Sequence, residues 1–374
     1  MKLNIDQLEK WTNAFGPSGF ELEVAKLIKE YVTDFAESVT QDKTGSIIFR
    51  KGSQGPKIML AGHMDEIGFI ITGINKQGYL TFNQLGGWWD QTLLSQRVII
   101  RVRDGSKITG IIVAKPPHIL DPEERKKVVV KTKMFIDVGC KSKKEVEALG
   151  IKIGDPAVPD SKFELLKRVQ ITKKKDKEEK KKEVTLAMAK GFDDRIGAFI
   201  AAEVMRRLKE ENIEHPNQVY GVATVQEEVG LRGARTAAHV IQPDVGFALE
   251  VDIAGDVPGV EKTKAPTEMS KGVSILTADA SMIPNPRLKH FVLDIAKEKG
   301  ITHQLSIILG GATDAGIIHI TGAGCPSLVL GVPTRHIHSH NGILDLGDVE
   351  NAVDLLTEVV KKLDQKTVDS FTQI

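Results

Sequence analysis

Val225-Gln226-Glu227-Glu228-Val229-Gly230-Leu231-Arg232-Gly233-Ala234 sets two carboxylates side by side, where the apolar run of residues 219–225 gives way to small residues. Adjacent glutamates repel unless something positive stands beside them. Apolar neighbours argue against a merely solvated surface. A metal ion bound by one carboxylate, with the other free to take a proton from metal-bound water, accounts for both. Residues 219–225 read as a strand and 231–241 as a helix, so the pair falls at the carboxyl end of a strand, where open α/β sheets bind their ligands.

Outward from that unit the alternation continues. Residues 6–15 and 21–35 read as helices, the second with Leu22, Ala25, Ile28 and Val32 at helical spacing. Strands at 46–50 and 57–61 follow, and the second leads into Gly62-His63-Met64-Asp65-Glu66. Downstream, Asp193-Asp194 opens a helix whose core face is Ile196, Phe199, Ile200, Val204 and Leu208. A strand at 245–249 ends at Glu250. Further strands at 273–276, 304–308 and 327–330 alternate with helices at 287–299, 317–321 and 349–363, the last capped by Asp348. The class is α/β, with a mostly parallel central sheet covered by helices on both faces.

From about Phe69 short alternating strands replace the helices, with an Asp104-Gly105 hairpin signal. Residues 69–167 therefore read as a small inserted β-rich, barrel-like domain. They split the larger domain into 1–68 and 168–374. The charged run 173–183 reads as a solvated hairpin tip between strands 168–172 and 184–189, with a basic patch as the alternative.

With 374 residues, 41% apolar and 27% charged, the chain is expected to be globular with more than one core. A net charge of +1 gives no argument for nucleic acid or an anionic membrane. The start lacks a signal-peptide apolar region and no run reaches membrane length, so the cytoplasm is expected. Cys140 and Cys325 are then buried thiols rather than a disulfide.

His63, Glu228 and Glu250 each follow an apolar strand, Asp193 stands at a helix start, and His338 lies in a loop after strand 327–330. Such N/O ligands suit zinc, cobalt or manganese better than calcium. If Asp193 bridges, one ion takes His63, Asp193 and Glu250, and another Asp193, Glu228 and His338. Each keeps an open position for a shared water. Asp65 would orient the His63 imidazole, and Glu227, left unliganded, would be the general base. Asp194 could exchange roles with Asp193. His336, His338 and His340 alternate, so an extended segment would point all three one way. Asp314 is a helix cap or, with Gly311 and Thr313, a substrate contact. Trp88-Trp89 is a sugar platform, an aromatic plug or an oligomer contact. The loop 310–316 lacks the Lys-Ser/Thr ending of a phosphate loop.

Five segments carry a resemblance over nearly the whole chain: 62–68, Phe192-Asp193-Asp194-Arg195, 225–233, Gly311-Ala312-Thr313-Asp314-Ala315-Gly316, and Pro333-Thr334-Arg335-His336-Ile337-His338-Ser339. They resemble the TET-type metallo-aminopeptidases, which include glutamyl and deblocking aminopeptidases and proteins once called cellulase M. The resemblance implies a zinc-peptidase-like fold and removal of N-terminal residues from peptides. It implies two divalent ions on His63, Asp193, Glu228, Glu250 and His338, with Glu227 as base and Asp65 beside His63. It also implies a large homo-oligomer, typically a hollow dodecamer of dimers, built through the inserted domain, which would govern access. Two departures stand out: Glu250 replaces a frequent Asp, and Glu268-Met269-Ser270-Lys271-Gly272 replaces a more Gly-rich stretch expected near the substrate pocket. The rivals are a glycoside hydrolase and a non-catalytic metal-dependent scaffold. Adjacent Glu227 and Glu228 cannot readily flank a sugar from opposite sides.

Overall fold

The computed structural model describes residues 2–173, 179–308 and 310–373. Its strands, in chain order, are β1 Ser38–Gln41, β2 Ile47–Lys51 and β3 Lys57–His63; then β4 Gly68–Ile74, β5 Leu80–Leu85, β6 Arg97–Arg101, β7 Lys107–Val113, β8 Phe135–Asp137 and β9 Pro156–Pro159. The chain continues with β10 Glu164–Lys173, β11 Glu179–Ala189, β12 Gln218–Thr224 and β13 Val245–Ile253. Last come β14 Val273–Asp279, β15 His303–Ile308, β16 Ser327–Arg335 and β17 Gly342–Asp345. The large sheet runs β1-β2-β12-β3-β13-β16-β17-β11-β10, with β14 on β16 and β15 on β14. Its centre, β12-β3-β13-β16, is parallel, and antiparallel hairpins close both edges.

Helices on both faces explain why β3 is apolar without alternation from Ile58 to Ala61. Ile58 and Leu60 join the core beneath helices Phe192–Glu210 and Leu346–Val360, while Met59 and Ala61 pack with Ala234, Ala237 and Ala238 of helix Arg232–Ile241. The inserted strands close on themselves as a barrel, β4-β5-β8-β7-β6-β9, around Phe69, Ile71, Val98, Ile100 and Ile112.

Some details differ from the expectation. The charged run lies partly outside the described residues, at 174–178. The flanking strands pair as far as Lys173↔Glu179, so its ends lengthen the hairpin. The closing helix is capped by Asp345, which accepts from Gly347 N at 2.8 Å. Asp348 instead accepts from Ser270 N (2.6 Å) and Gly272 N (2.7 Å). Those bonds fasten Ser270 and Gly272 to the start of the closing helix. Cys140 and Cys325 are free and only half-buried. Among the described residues no helix is long and apolar enough to cross a membrane.

A buried ionic knot ties the N-terminal segment to the sheet. The Glu66 carboxylate accepts from Lys190 Nζ at 2.7 and 2.8 Å and from Arg195 Nη2 at 2.9 Å. The Arg195 guanidinium also donates to the carbonyls of Trp11, Thr12, Ala14, Gly16 and Met64.

Candidate active site

The residues singled out in the sequence converge on one end of the parallel strands. His63 closes β3, Glu227 and Glu228 lie in the turn after β12, and Glu250 lies within β13, which runs on to Ile253. β13 pairs with β3 only over Val245–Ala248, so Glu250 stands beyond its partner's reach. Gln226 and Leu231 both adopt left-handed φ (56° and 55°), which turns the chain sharply enough to aim both glutamates inward. The helix Phe192–Glu210 is non-helical at Asp193 and Asp194 (ψ 103° and 42°), and their shared peptide is cis. With those ψ values neither residue has the conformation of a helix's first turn. The helix passes close enough to β3 that a Cβ at Gly62 would lie 2.2 Å from Ala198 N.

Both imidazoles are oriented by carbonyls. His63 Nδ1 donates to the Asp65 carbonyl at 3.0 Å, and His338 Nδ1 to the Gly87 carbonyl at 2.6 Å. A carbonyl only accepts, so in the neutral ring these bonds leave each Nε2 lone pair free to take a ligand role. His63 Nε2 faces Asp193 Oδ1 (3.1 Å) and Glu227 Oε2 (3.6 Å). His338 Nε2 faces Asp193 Oδ2 (3.3 Å) and Glu228 Oε1 (3.7 Å). The two oxygens of Asp193 thus point to different imidazoles.

The ligand atoms of His63, Asp193 and Glu228 lie within 4.8 Å of one another, as do those of His63, Asp194 and Glu250. In the second group Asp194 stands where Asp193 was expected. Its oxygens also accept backbone N–H from His63 (3.0 Å) and Gly197 (3.0 Å).

Asp65 does more than face His63. Its carboxylate accepts from the backbone N–H of Glu227 (3.0 Å) and Glu228 (3.3 Å) and from the Ser18 hydroxyl (2.6 Å). One side chain therefore fixes the backbone of the glutamate pair against β3. Nothing in the sequence pattern announced this task, nor that of Glu21, which accepts from Gln226 N at 3.1 Å.

Asp314 stands at the start of helix Ala315–Ile318 but makes no side-chain cap. One oxygen accepts from the Thr224 hydroxyl at 2.5 Å, and the other has no partner. The carboxylate lies behind Glu250, whose Oε1 accepts from Asp314 N at 3.4 Å. Gly311 and Thr313 line the cavity over the cluster.

His336 and His338 have positive φ (62° and 53°), so the three histidines diverge instead of sharing a face. His338 faces the cluster, His336 is exposed, and His340 is buried 5.2 Å from the Trp88 ring. Trp88 itself is a plug, stacked on Phe69 at 4.9 Å with its Nε1 donating to Gly68 O, whereas Trp89 is 63% exposed.

The electrostatics demand positive charge. Burial, then the neighbouring Asp193, pushes Glu228 up to about 8. Burial likewise holds Glu227 and Glu250 well above the carboxylate range, against the pull of His63. Burial opposes a charged His63, yet Glu227, Asp193 and Asp65 hold it well above its ordinary value. Glu228 Oε1, buried, makes no hydrogen bond. Two Nε2 atoms, an acceptor left bare and carboxylates crowded within a few ångströms fit divalent cations of the N/O-ligand type.

The cluster opens on a cavity of 930 Å³, lined also by Val251, Ile253, Lys264 and Ile308. Carboxyl ends of parallel strands are where α/β sheets bind ligands, and these donors beneath a cavity suit a metal-dependent hydrolase.

Comparison with known proteins narrows the class to a family. Residues 45–355 match the family described as M42 glutamyl aminopeptidase, and the chain belongs to it. The chain is similar to the TET aminopeptidase of the marine sediment archaeon Thaumarchaeota archaeon SCGC AB-539-E09, at 54% identity and a TM-score of 0.91 over 98% of each chain. It is also similar to the PhTET1-12s structure, described as a dodecamer, at 31% identity and a TM-score of 0.81 over 97% of this chain and 100% of that one. Among sequence relatives, the lysyl aminopeptidase of Pyrococcus furiosus is 31% identical, covering 95% of this chain and 96% of its own. The chain is accordingly a metal-dependent aminopeptidase, a hydrolase acting on peptide bonds.

Proposed function

We propose that this aminopeptidase removes the N-terminal residue of peptides with two divalent cations and Glu227 as its general base. The observation that carries the reading is Asp193, whose two oxygens face His63 on one side and His338 on the other. His63, Asp193 and Glu250 would hold one ion, and Asp193, Glu228 and His338 the other. Asp194 lies close enough to His63 and Glu250 to contribute to the first. Zinc or cobalt suits this donor set, with manganese a further choice. Such ions supply Lewis-acid polarisation of a scissile carbonyl and a lowered pKa for water.

The chain's own residues supply the rest. Glu227 lies 3.6 Å from His63 Nε2 and is only 11% exposed, and its raised proton affinity suits a group that takes a proton from the attacking water. Rotation of the same carboxyl then delivers the proton to the leaving amine. Asp65, through the two backbone N–H groups, keeps Glu227 aimed while its proton changes hands. The substrate's ammonium is drawn by the carboxylates of Glu250 and, behind it, Asp314, which favours the chain end over internal bonds. Gly311 and Thr313 would contact the bound residue.

Self-association, with a dodecamer as the leading form and the barrel as its contact and access element, is supported by the dodecameric TET relative. A reducing cytoplasm agrees with two unpaired cysteines.

The test compares metal-free and metal-restored protein on aminoacyl anilides and on a soluble glucan. Hydrolysis of the anilide alone, restored by zinc, cobalt or manganese, is expected. Glu227→Gln should retain its metal and lose roughly 10²–10⁴ in kcat. Full turnover in that variant, or cleavage of the glucan, would overturn the reading.

A further inference from the structure

A second cavity, of 910 Å³, adjoins the first and shares Gly87, Ile337 and His338 with it. Both have His338 in their walls, and they differ in chemistry. The first is lined by carboxylates. The second, among the described residues, contains no Asp, Glu, Lys or Arg in its wall; it is built from aromatic rings, amides and hydroxyls, including Trp89, Gln96 and Asn341. At its base His340 is 6% exposed, and neither of its ring nitrogens has a hydrogen-bond partner. Buried polar groups are normally satisfied, and a ring with one donor and one acceptor left over suits a ligand that brings both.

We propose that this second cavity binds the uncharged peptide on the leaving side of the scissile bond, with His340 hydrogen-bonding its backbone and Trp89 covering its side chains. The inference rests on the aminopeptidase reading. A bond cleaved over the metal centre must send its two flanks in different directions, and charge decides which goes where. The cationic amine end is held by the carboxylate-lined cavity. The other flank is a neutral backbone with N–H and C=O groups, which a cavity of amides, hydroxyls and an unsatisfied imidazole matches. The exposed Trp89 adds a broad apolar face that tolerates varied side chains.

The experiment measures kcat/KM for an amino acid amide, a dipeptide and a tetrapeptide with the same N-terminal residue, in metal-loaded protein. In the wild type the constant should rise with length. Trp89→Ala and, separately, His340→Phe, which keeps the ring against Trp88, should each lower the tetrapeptide-to-amide ratio about three- to tenfold. Metal content and assembly state are measured in parallel. A ratio within twofold of the wild type in both variants, or equal loss on all three substrates, overturns the proposal while leaving the aminopeptidase reading standing. A wild-type protein that hydrolyses none of the three overturns the underlying reading itself.

Discussion

Glu66→Gln should be among the most damaging single-atom changes outside the metal centre. Glu66, Lys190 and Arg195 are at most 5% exposed and carry one negative and two positive charges. Removing the only carboxylate of that knot leaves two buried cations facing each other, and breaking a buried pair in this way typically costs about 3–5 kcal/mol. Lys190 limits the damage by giving up its proton. Burial, with Arg195 adding to it, already pushes its ammonium down from 10.5 to about 8, against the pull of Glu66. Because its folded pKa lies below its unfolded one, the charged form carries a penalty of about 3 kcal/mol at neutral pH. That penalty is relieved as pH rises from about 8 toward 10.5, where the unfolded state binds more protons. Without Glu66 the folded pKa falls further and relief begins at lower pH. The difference between variant and wild type should therefore be largest near pH 6 and shrink toward pH 9. At roughly 2.1 cal/mol/K per residue, a 374-residue chain would lose about 4–6 °C in Tm near neutrality. Urea midpoints and melting curves at matched subunit concentration across pH 6–9 measure it. A destabilisation below about 1 kcal/mol, or one that grows with pH, would refute the reasoning.

Chelation should lower Tm by several degrees, with recovery on adding zinc, cobalt or manganese, because an ion present at 100 times its Kd adds about 2.7 kcal/mol; calorimetry of chelated and reloaded protein checks this. Asp314→Asn keeps the acceptor for Thr224 and removes a carboxyl that burial raises from 3.8 to about 6. A raised folded pKa stabilises below pH 3.8 and loses that stability as pH rises through 6. The chelated variant should accordingly gain up to about 3 kcal/mol at pH 8 and almost nothing near pH 4, as urea midpoints would show. Gly86→Ala puts a Cβ at φ 79°, 2.6 Å from Ile67 and 2.8 Å from Glu228 Oε2. Metal titration should find affinity reduced about 10–100-fold, and unchanged affinity would mean Glu228 tolerates displacement.

Much of the site was legible because β3, β12 and β13 are apolar runs that break at polar residues, and the ends of parallel strands lie on one edge. What escaped depended on backbone conformations that no periodicity announces. Asp193-Asp194 looks like any acidic first turn, so the division of labour between facing both imidazoles and carrying the His63 backbone N–H could not be read. Alternation puts His336, His338 and His340 on a common face only in an extended segment; two left-handed residues separate them. Asp348 was an equally good cap to Asp345 in sequence. The choice turned on the backbone of residues 270–272, nearly eighty positions away. Asp65 looked like a partner for the imidazole two residues before it, whereas its strongest bonds go to Glu227 and Ser18, contacts visible only once β12 lies beside β3.

The inserted barrel reaches the candidate active site. Its β5 strand leads directly into Gly86-Gly87-Trp88-Trp89, and this strap crosses the site. Gly87 supplies the carbonyl that orients His338, while the backbone at Gly86 comes so near Glu228 that no side chain fits between. His338 is the most exposed of the candidate ligands, 38% against 1% for His63, and it follows a left-handed turn rather than a strand end. Its position is therefore set less by the large sheet than by the barrel's strap. Trp88, plugged into the barrel core against Phe69, anchors the strap; Trp89, next to it, faces the second cavity. A displacement of the barrel would move His338 and the wall of the second cavity together, whereas His63, Asp194 and Glu250 are carried by the large sheet and its helix. Coupling between barrel and sheet thus falls on the His338 side of the cluster, which one oxygen of Asp193 faces while the other faces His63.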